Sequence, residues 1–152
     1  GLKIIYHDVS RNDLVEKECS ATYCDSVEEL LRQADVVSLH VPLLASTKHL
    51  MNEARLHLMK PTSLLINTSR GPVIDEKALV QALKERVIAG AALDVFEFEP
   101  KLSKGLSKLP NIILTPHIAS ASVRARDEMA EVTANNIIDF LEGRTPRNIV
   151  NP

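Results

Sequence analysis

A chain of 152 residues with 45% hydrophobic and 25% charged side chains has the composition of a globular domain large enough to bury a core. Its formal net charge is −2 with the basic residues scattered, which gives no case for nucleic-acid binding, and no apolar run approaches the ~18–20 residues of a membrane span. Two cysteines without zinc-type spacing, and a start lacking the basic-then-apolar pattern of a signal peptide, lead to the expectation of reduced thiols, no metal site and a cytoplasmic location.

Residues 2–6 form a short apolar run closed by His7 and Asp8 and predict a strand followed by a polar turn. Residues 21–23 predict a brief second strand. Ser26 with Glu29 three positions on is a capping box and starts a helix through Leu30 and Leu31. Residues 36–39 are rich in β-branched side chains and are stopped by Pro42, a third strand. Asn52 is an N-cap for a helix through Leu56 and Met59 that ends at Pro61. Residues 63–67 predict the next strand, and Asp75 caps a helix in which Ala78, Leu79, Ala82 and Leu83 keep a 3.6-residue period. Residues 87–93 predict a strand, with Gly90 and small alanines where a helix packs closely. Residues 112–115 predict the last strand. An amphipathic helix is expected over residues 122–141, stopped by Gly143, with an extended tail over residues 147–152.

Strands alternating with helices place the chain in the α/β class, as a doubly wound parallel sheet. The strands at 36–39, 63–67, 88–93 and 112–115 are expected to be consecutive neighbours. Their apolar runs lack strict alternation, the pattern of a sheet covered on both faces.

In such a sheet ligands bind beyond the C-terminal ends of the strands. Three charged side chains follow apolar runs there: Arg70 after residues 64–67, Glu99 after residues 91–96, and His117 after residues 112–115. A guanidinium held by the Gly71-Pro72 turn suits bidentate grip of a carboxylate, and is also consistent with a surface arginine. An imidazole at a strand end suits proton donation to a developing alkoxide, and equally a structural histidine. Glu99 matters if it touches His117, whose pKa a paired carboxylate raises; otherwise it is a solvent-facing residue before Pro100. Asp8 ends the first strand, where a carboxylate accepts from ribose hydroxyls and repels a 2′-phosphate, or serves as a turn residue; nearby Arg11 softens that discrimination. His7 and His40 flank the same edge, while His49 and His57 read as loop or helix-surface residues without metal spacing.

Several linked motifs carry a resemblance: Leu39-His40-Val41-Pro42-Leu43 with Thr47; Asn67-Thr68-Ser69-Arg70-Gly71 with Asp75; Gly90-Ala91-Ala92-Leu93-Asp94-Val95-Phe96 with Glu99-Pro100; and Thr115-Pro116-His117-Ile118-Ala119-Ser120-Ala121. Together they resemble the D-isomer-specific 2-hydroxyacid dehydrogenases. The ending Pro146-Arg147-Asn148-Ile149-Val150-Asn151-Pro152 is most similar to the glyoxylate and hydroxypyruvate reductase branch. Glu99 stands where the formate dehydrogenase branch carries Gln.

The resemblance implies an oxidoreductase that transfers a hydride between NADH and a small 2-keto acid of glyoxylate or hydroxypyruvate type. Arg70 would bind the substrate carboxylate and carbonyl, His117 would be the acid/base, and Glu99 would orient and charge it. Asp94 would hold the nicotinamide carboxamide. Asp8, His40, Val41, Pro42, Thr47, Asn67, Thr68, Ser69 and Ala119 would line a Rossmann-like NAD site, with Asp8 disfavouring NADP. A homodimer is implied, with no nucleic-acid or membrane partner.

The departure from the family pattern concerns the first βα unit. The five glycines, Gly1, Gly71, Gly90, Gly105 and Gly143, form no G-x-G-x-x-G, the turn that with its helix N-terminus cradles a pyrophosphate. The expectation is a partial NAD-binding domain over residues 1–145 and a tail over residues 146–152 that in the family returns to the substrate domain. Its isolated form would be inactive. The alternatives are a non-catalytic NAD-binding scaffold similar to the family's corepressors, or an inactive truncated gene product.

Overall fold

Eleven elements follow one another in the computed structural model, which describes residues 1–150. They are β1 (Ile5–Tyr6), α1 (Asp13–Cys19), β2 (Thr22–Tyr23), α2 (Val27–Gln33), β3 (Val36–Leu39), α3 (Glu53–Leu56), β4 (Leu64–Asn67), α4 (Glu76–Lys84), β5 (Gly90–Leu93), β6 (Ile112–Leu114) and α5 (Val123–Leu141). Single 3₁₀ turns lie at Gly71–Val73 and Leu106–Lys108. The chain divides into two units, Gly1–Pro116 and a second that begins at His117. Asn151 and Pro152, placed in the tail by the sequence, lie outside the described residues.

In the first unit β3, β4, β5 and β6 are consecutive parallel neighbours, the order expected. The register aligns Leu39 with Asn67, Asn67 with Leu93, and Leu93 with Leu114, so the strands end level. β1 and β2 form a separate two-stranded parallel sheet.

Local chemistry sets the helix starts. Ser26 accepts from the Glu29 N–H at 3.1 Å, and the Glu29 carboxylate reaches back to the Asp25 N–H at 3.0 Å. Asn52 caps α3 through the Arg55 N–H, and α3 stops at Leu56, short of the predicted end. Asp75 takes the Lys77 and Ala78 N–H groups of α4, and Ser122 takes the Ala125 N–H of α5. Helix α1 is an element the hydrophobic pattern did not reveal: it buries no side chain, and its signals are the Asn12 cap and the first-turn acids Asp13 and Glu16.

The core lies on one side of the four-stranded sheet. Val37, Leu39, Leu65, Ala91 and Leu93 project into it and meet Leu31 of α2, Leu56 of α3, and Leu79 and Leu83 of α4. Each fully buried leucine contributes roughly 1.5–3 kcal/mol of transfer free energy. The other face alternates with the first: Val36, Leu64 and Ile113 are 49%, 43% and 67% exposed. The unbroken apolar runs thus do not correspond to equal burial on both faces of β3 and β4. Gly90 is also not the helix contact expected of it. A Cβ there would stand 2.9 Å from the Asn111 carbonyl oxygen, so the residue admits the neighbouring backbone ahead of β6. In the second unit α5 exposes Val123, Met129, Phe140 and Leu141, and Gly143 takes a left-handed φ of 74° just past its end.

Cys19 is exposed and Cys24 buried, with no bridge, and burial pushes the Cys24 thiol up from its ordinary range. Among the described residues no helix is long and apolar enough to cross a membrane, and no group of three His, Cys, Asp or Glu is arranged to hold a metal ion.

Candidate active site

Parallel pairing makes the C-terminal ends of β3 to β6 one edge, and Val41, Pro42, Asn67, Arg70 and Asp94 lie in the segments just beyond the strands that form it. Beyond β4, buried Asn67 shapes the turn to Arg70. Its Oδ1 accepts from the Ser69 N–H (3.0 Å) and hydroxyl (2.8 Å), and its Nδ2 donates to the Arg70 carbonyl (3.0 Å). Asn67 therefore acts on the edge through its neighbours, while Thr68 is exposed and Ser69 half-buried. Arg70 is exposed, and its Nη1–H donates to the Ser69 carbonyl at 2.7 Å.

Beyond β5, Asp94 is buried. Its N–H donates to the Asn67 carbonyl, and its Oδ1 accepts the Thr115 hydroxyl at 2.5 Å. A carboxylate from β5 is thus pinned by the residue after β6, with the Thr115 N–H continuing the ladder to Leu93. Glu99 is exposed, and its Oε1 accepts the Phe96 N–H at 2.9 Å. The Glu99–Pro100 peptide is cis.

The loop after β3 is closed by Thr47. Its hydroxyl donates to the Pro42 carbonyl at 2.6 Å and accepts the Leu44 N–H at 2.8 Å, which holds exposed Pro42 and half-buried Val41 at the edge. His40 is exposed and bonds the Ser38 hydroxyl at 2.8 Å. A depression of about 340 Å³ next to this loop is lined by Leu43, Leu44, Ala45, Lys48, Pro72, Glu97 and Phe98.

Asp8 is exposed beyond β1, where Tyr23 donates to its carbonyl oxygen at 3.1 Å. The His7 ring stacks on Tyr23, and its Nδ1–H donates to the Cys24 carbonyl at 2.9 Å. Arg11 is engaged by Glu16 through two bonds of 2.7 and 2.8 Å and lies over the Tyr23 ring. The Arg11 guanidinium, followed by the Tyr6 hydroxyl, holds the Glu16 carboxyl down at about 2.

His117 opens the second unit. It is exposed and has a left-handed backbone, φ 53°, a conformation in which histidine is enriched among non-glycine residues. Ala119 follows in the same unit and is exposed.

The sequence pattern passed over a braced group behind the edge. His49 is more than the loop or helix-surface residue its sequence context predicts: it has φ 52°, its N–H donates to the Pro72 carbonyl, and its Nε2–H donates to Glu97 Oε1 at 2.7 Å. Glu76 is 1% exposed and bonds the Glu97 backbone. The only local signal was the first-turn position of Glu76, where acids are ordinarily solvated.

Two carboxylates are available to a dinucleotide. Asp8 is an exposed carboxylate beyond β1, and Asp94 is a buried carboxylate fixed by a hydroxyl. The pyrophosphate between them needs N–H groups of a glycine turn, which the five glycines of this sequence do not form.

A family model described as "D-isomer specific 2-hydroxyacid dehydrogenase, NAD binding domain" matches residues 1–119. A glyoxylate reductase of Thermococcus litoralis is 52% identical over 151 residues, 99% of this chain and 45% of that protein. The chain thus spans about half the length of the curated relatives it matches. The holo form of Rhodotorula graminis D-mandelate dehydrogenase superposes with a TM-score of 0.91 at 42% identity, covering 99% of this chain and 45% of that one. An NADPH-dependent glyoxylate/hydroxypyruvate reductase of Sinorhizobium meliloti, solved with NADP and malonate, has a TM-score of 0.85 at 37% identity over 93% of this chain and 43% of its own.

Proposed function

This chain belongs to the D-isomer-specific 2-hydroxyacid dehydrogenase family through its NAD-binding domain, and on that premise we propose that it is the nicotinamide-binding, acid/base-bearing part of a reductase for glyoxylate-type 2-keto acids. The observation that carries the reading is the level edge of β4, β5 and β6, each of which is followed by one candidate: Arg70, Glu99 and His117. The dinucleotide, when bound, supplies the hydride that the substrate's carbonyl carbon accepts. Arg70 grips the substrate carboxylate with a planar fork steadied by the Ser69 carbonyl. His117 holds the proton that the substrate oxygen takes, and Glu99 is the carboxylate that the family resemblance assigns to assist it. Asp94, fixed by Thr115, orients the carboxamide. The family resemblance adds a homodimer, and unbridged thiols accord with a cytoplasmic setting. The test is NADH oxidation by the protein expressed from the complete gene, offered glyoxylate, hydroxypyruvate, pyruvate and phenylglyoxylate. Turnover fastest with the two small acids supports the reading. No turnover with any 2-keto acid overturns it.

The 152 residues alone are expected to bind NADH poorly. Adenosine and carboxamide contacts remain, but the phosphates lack their cradle. Titration followed by NADH fluorescence should give no saturation at micromolar concentrations; tight binding would show that another part of the chain holds the phosphates.

For the choice of dinucleotide, Asp8 supports NAD, and Glu16 supports it further by engaging Arg11. Glu16 has a depressed pKa, so the pair stays formed above the ordinary carboxylate range and is lost only as pH falls toward about 2. Acid therefore does not release Arg11 under working conditions, whereas substitution does. Glu16→Ala should raise the NADPH/NADH ratio of kcat/KM by about fivefold, because Arg11 is then free to meet a 2′-phosphate. An unchanged ratio would remove Arg11 from cofactor choice.

A further inference from the structure

We propose that Glu76 is a positioning residue: with Glu97 it clamps both ends of the loop that carries Glu99 and holds that loop against the Arg70 turn. The inference rests on the reading of Arg70 and Glu99 given above.

Glu76 is the first residue of α4, yet it is 1% exposed. Burying a carboxylate is costly unless hydrogen bonds replace its water. Its Oε1 accepts the Glu97 N–H at 2.7 Å, and its Oε2 accepts the Ser103 N–H at 3.3 Å. Those two amides open and close the segment in which Glu99 sits. The pairing is reciprocal, since Glu97 Oε2 accepts the Glu76 N–H at 3.2 Å. Glu97 Oε1 accepts from His49, whose own N–H donates to the Pro72 carbonyl at 2.8 Å, two residues past Arg70. A run of bonds therefore leads from the Arg70 turn through His49 and Glu97 to Glu76 and ends on Ser103.

The helix does not need the Glu76 carboxylate. Asp75 already takes the Lys77 and Ala78 N–H groups, and Glu97 takes that of Glu76. What the buried carboxylate holds is the loop. The two backbones it joins are also in direct contact, because a Cβ on Gly71 would stand 1.9 Å from the Phe96 carbonyl carbon and oxygen. An acid/base partner displaced by about 1 Å loses on the order of 100-fold in rate, which makes such a brace consequential for the chemistry.

The experiment compares Glu76→Gln, Glu97→Gln and Glu99→Gln in the protein expressed from the complete gene. Glutamine keeps one acceptor oxygen but turns an NH₂ toward the second amide, so either Glu97 or Ser103 loses its partner. With Glu76→Gln, kcat for keto-acid reduction should fall roughly 10–100-fold. KM for NADH should stay within about twofold, and the alkaline limb of the kcat/KM profile should move in the same direction as with Glu99→Gln. Deuterium exchange across residues 97–103 should quicken. Glu99→Gln is the reference and should move the same limb. A limb moved by Glu99→Gln and untouched by Glu76→Gln overturns the clamp and leaves the site reading standing. A limb that Glu99→Gln does not move overturns the site reading instead, and the clamp is then decided by exchange alone, unchanged exchange refuting it. A melting temperature lowered without a change in pH profile or exchange also refutes it. Should Glu76→Gln not fold, Glu97→Gln carries the same expectations.

Discussion

Replacing His117 by alanine is expected to lower turnover of a 2-keto acid by roughly 10²–10⁴-fold, the range for loss of a positioned general acid. The protein expressed from the complete gene is the material, with NADH saturating so that cofactor affinity does not enter. The position has a backbone constraint of its own: His117 has φ 53°, which alanine adopts at a cost. A loss caused by backbone relaxation has to be separated from a loss of the proton. His117→Asn does so, because asparagine accepts the left-handed region readily but carries no group that titrates near neutrality. Equal losses with alanine and asparagine assign the effect to the imidazole. Turnover restored by asparagine would mean that the backbone, not the proton, had been responsible, and unchanged turnover in both would reject the acid/base role.

The second large effect is structural. Gly71→Ala is expected to destabilise the fold by about 3 kcal/mol or more, because the new Cβ would stand 1.9 Å from the Phe96 carbonyl and 2.5 Å from the Glu97 nitrogen. Both obstacles are main chain, so no rotamer change relieves the clash. The Arg70 turn and the segment after β5 must move apart. A thermal melt should show Tm lowered by roughly 10 °C or more for a unit of this size. Gly105→Ala is the useful contrast: its strain comes from φ 92° alone, with its nearest neighbours, side-chain atoms of Val80 and Lys84, no closer than 3.7 Å. A melt unchanged by Gly71→Ala would show that the two backbones are not held in contact in solution.

Much of this architecture was readable wherever local periods or caps recorded it. β3 falls over the predicted residues 36–39, Asp75 and Ser122 cap the helices assigned to them, and the level C-terminal edge follows from apolar runs of similar length. Strand limits were overestimated where apolar residues precede the ladder, as at residues 87–89 ahead of Gly90. Helix α1 escaped notice because it has no apolar face to bury. The brace escaped for a different reason. His49 meets Glu97 across 48 positions, and Glu97 meets Glu76 across 21, so no local period links them. Glu76 looked like an ordinary first-turn acid, and only three-dimensional packing makes it a buried one. The places of Arg70 beyond β4 and Glu99 beyond β5 were legible because a parallel sheet turns position along the chain into position in space; the long-range bonds among His49, Glu97 and Glu76 were not.

The separate β1–β2 ribbon has a consequence for cooperativity. Two short strands are marginal by themselves, and here the Tyr6–Tyr23 edge contact and the His7 stack join them while half-buried Ile5 is the side chain of β1 or β2 that packs against the core. The four-stranded sheet, by contrast, rests on a continuous core. Local opening free energies should therefore be lowest around β1 and highest in β4 and β5, so the chain loses structure in stages rather than in one step. Asp8 lies on the less anchored part. Capture of an adenosine ribose there would also order its own platform, and part of the ligand's intrinsic affinity would reappear as tighter closure of the ribbon.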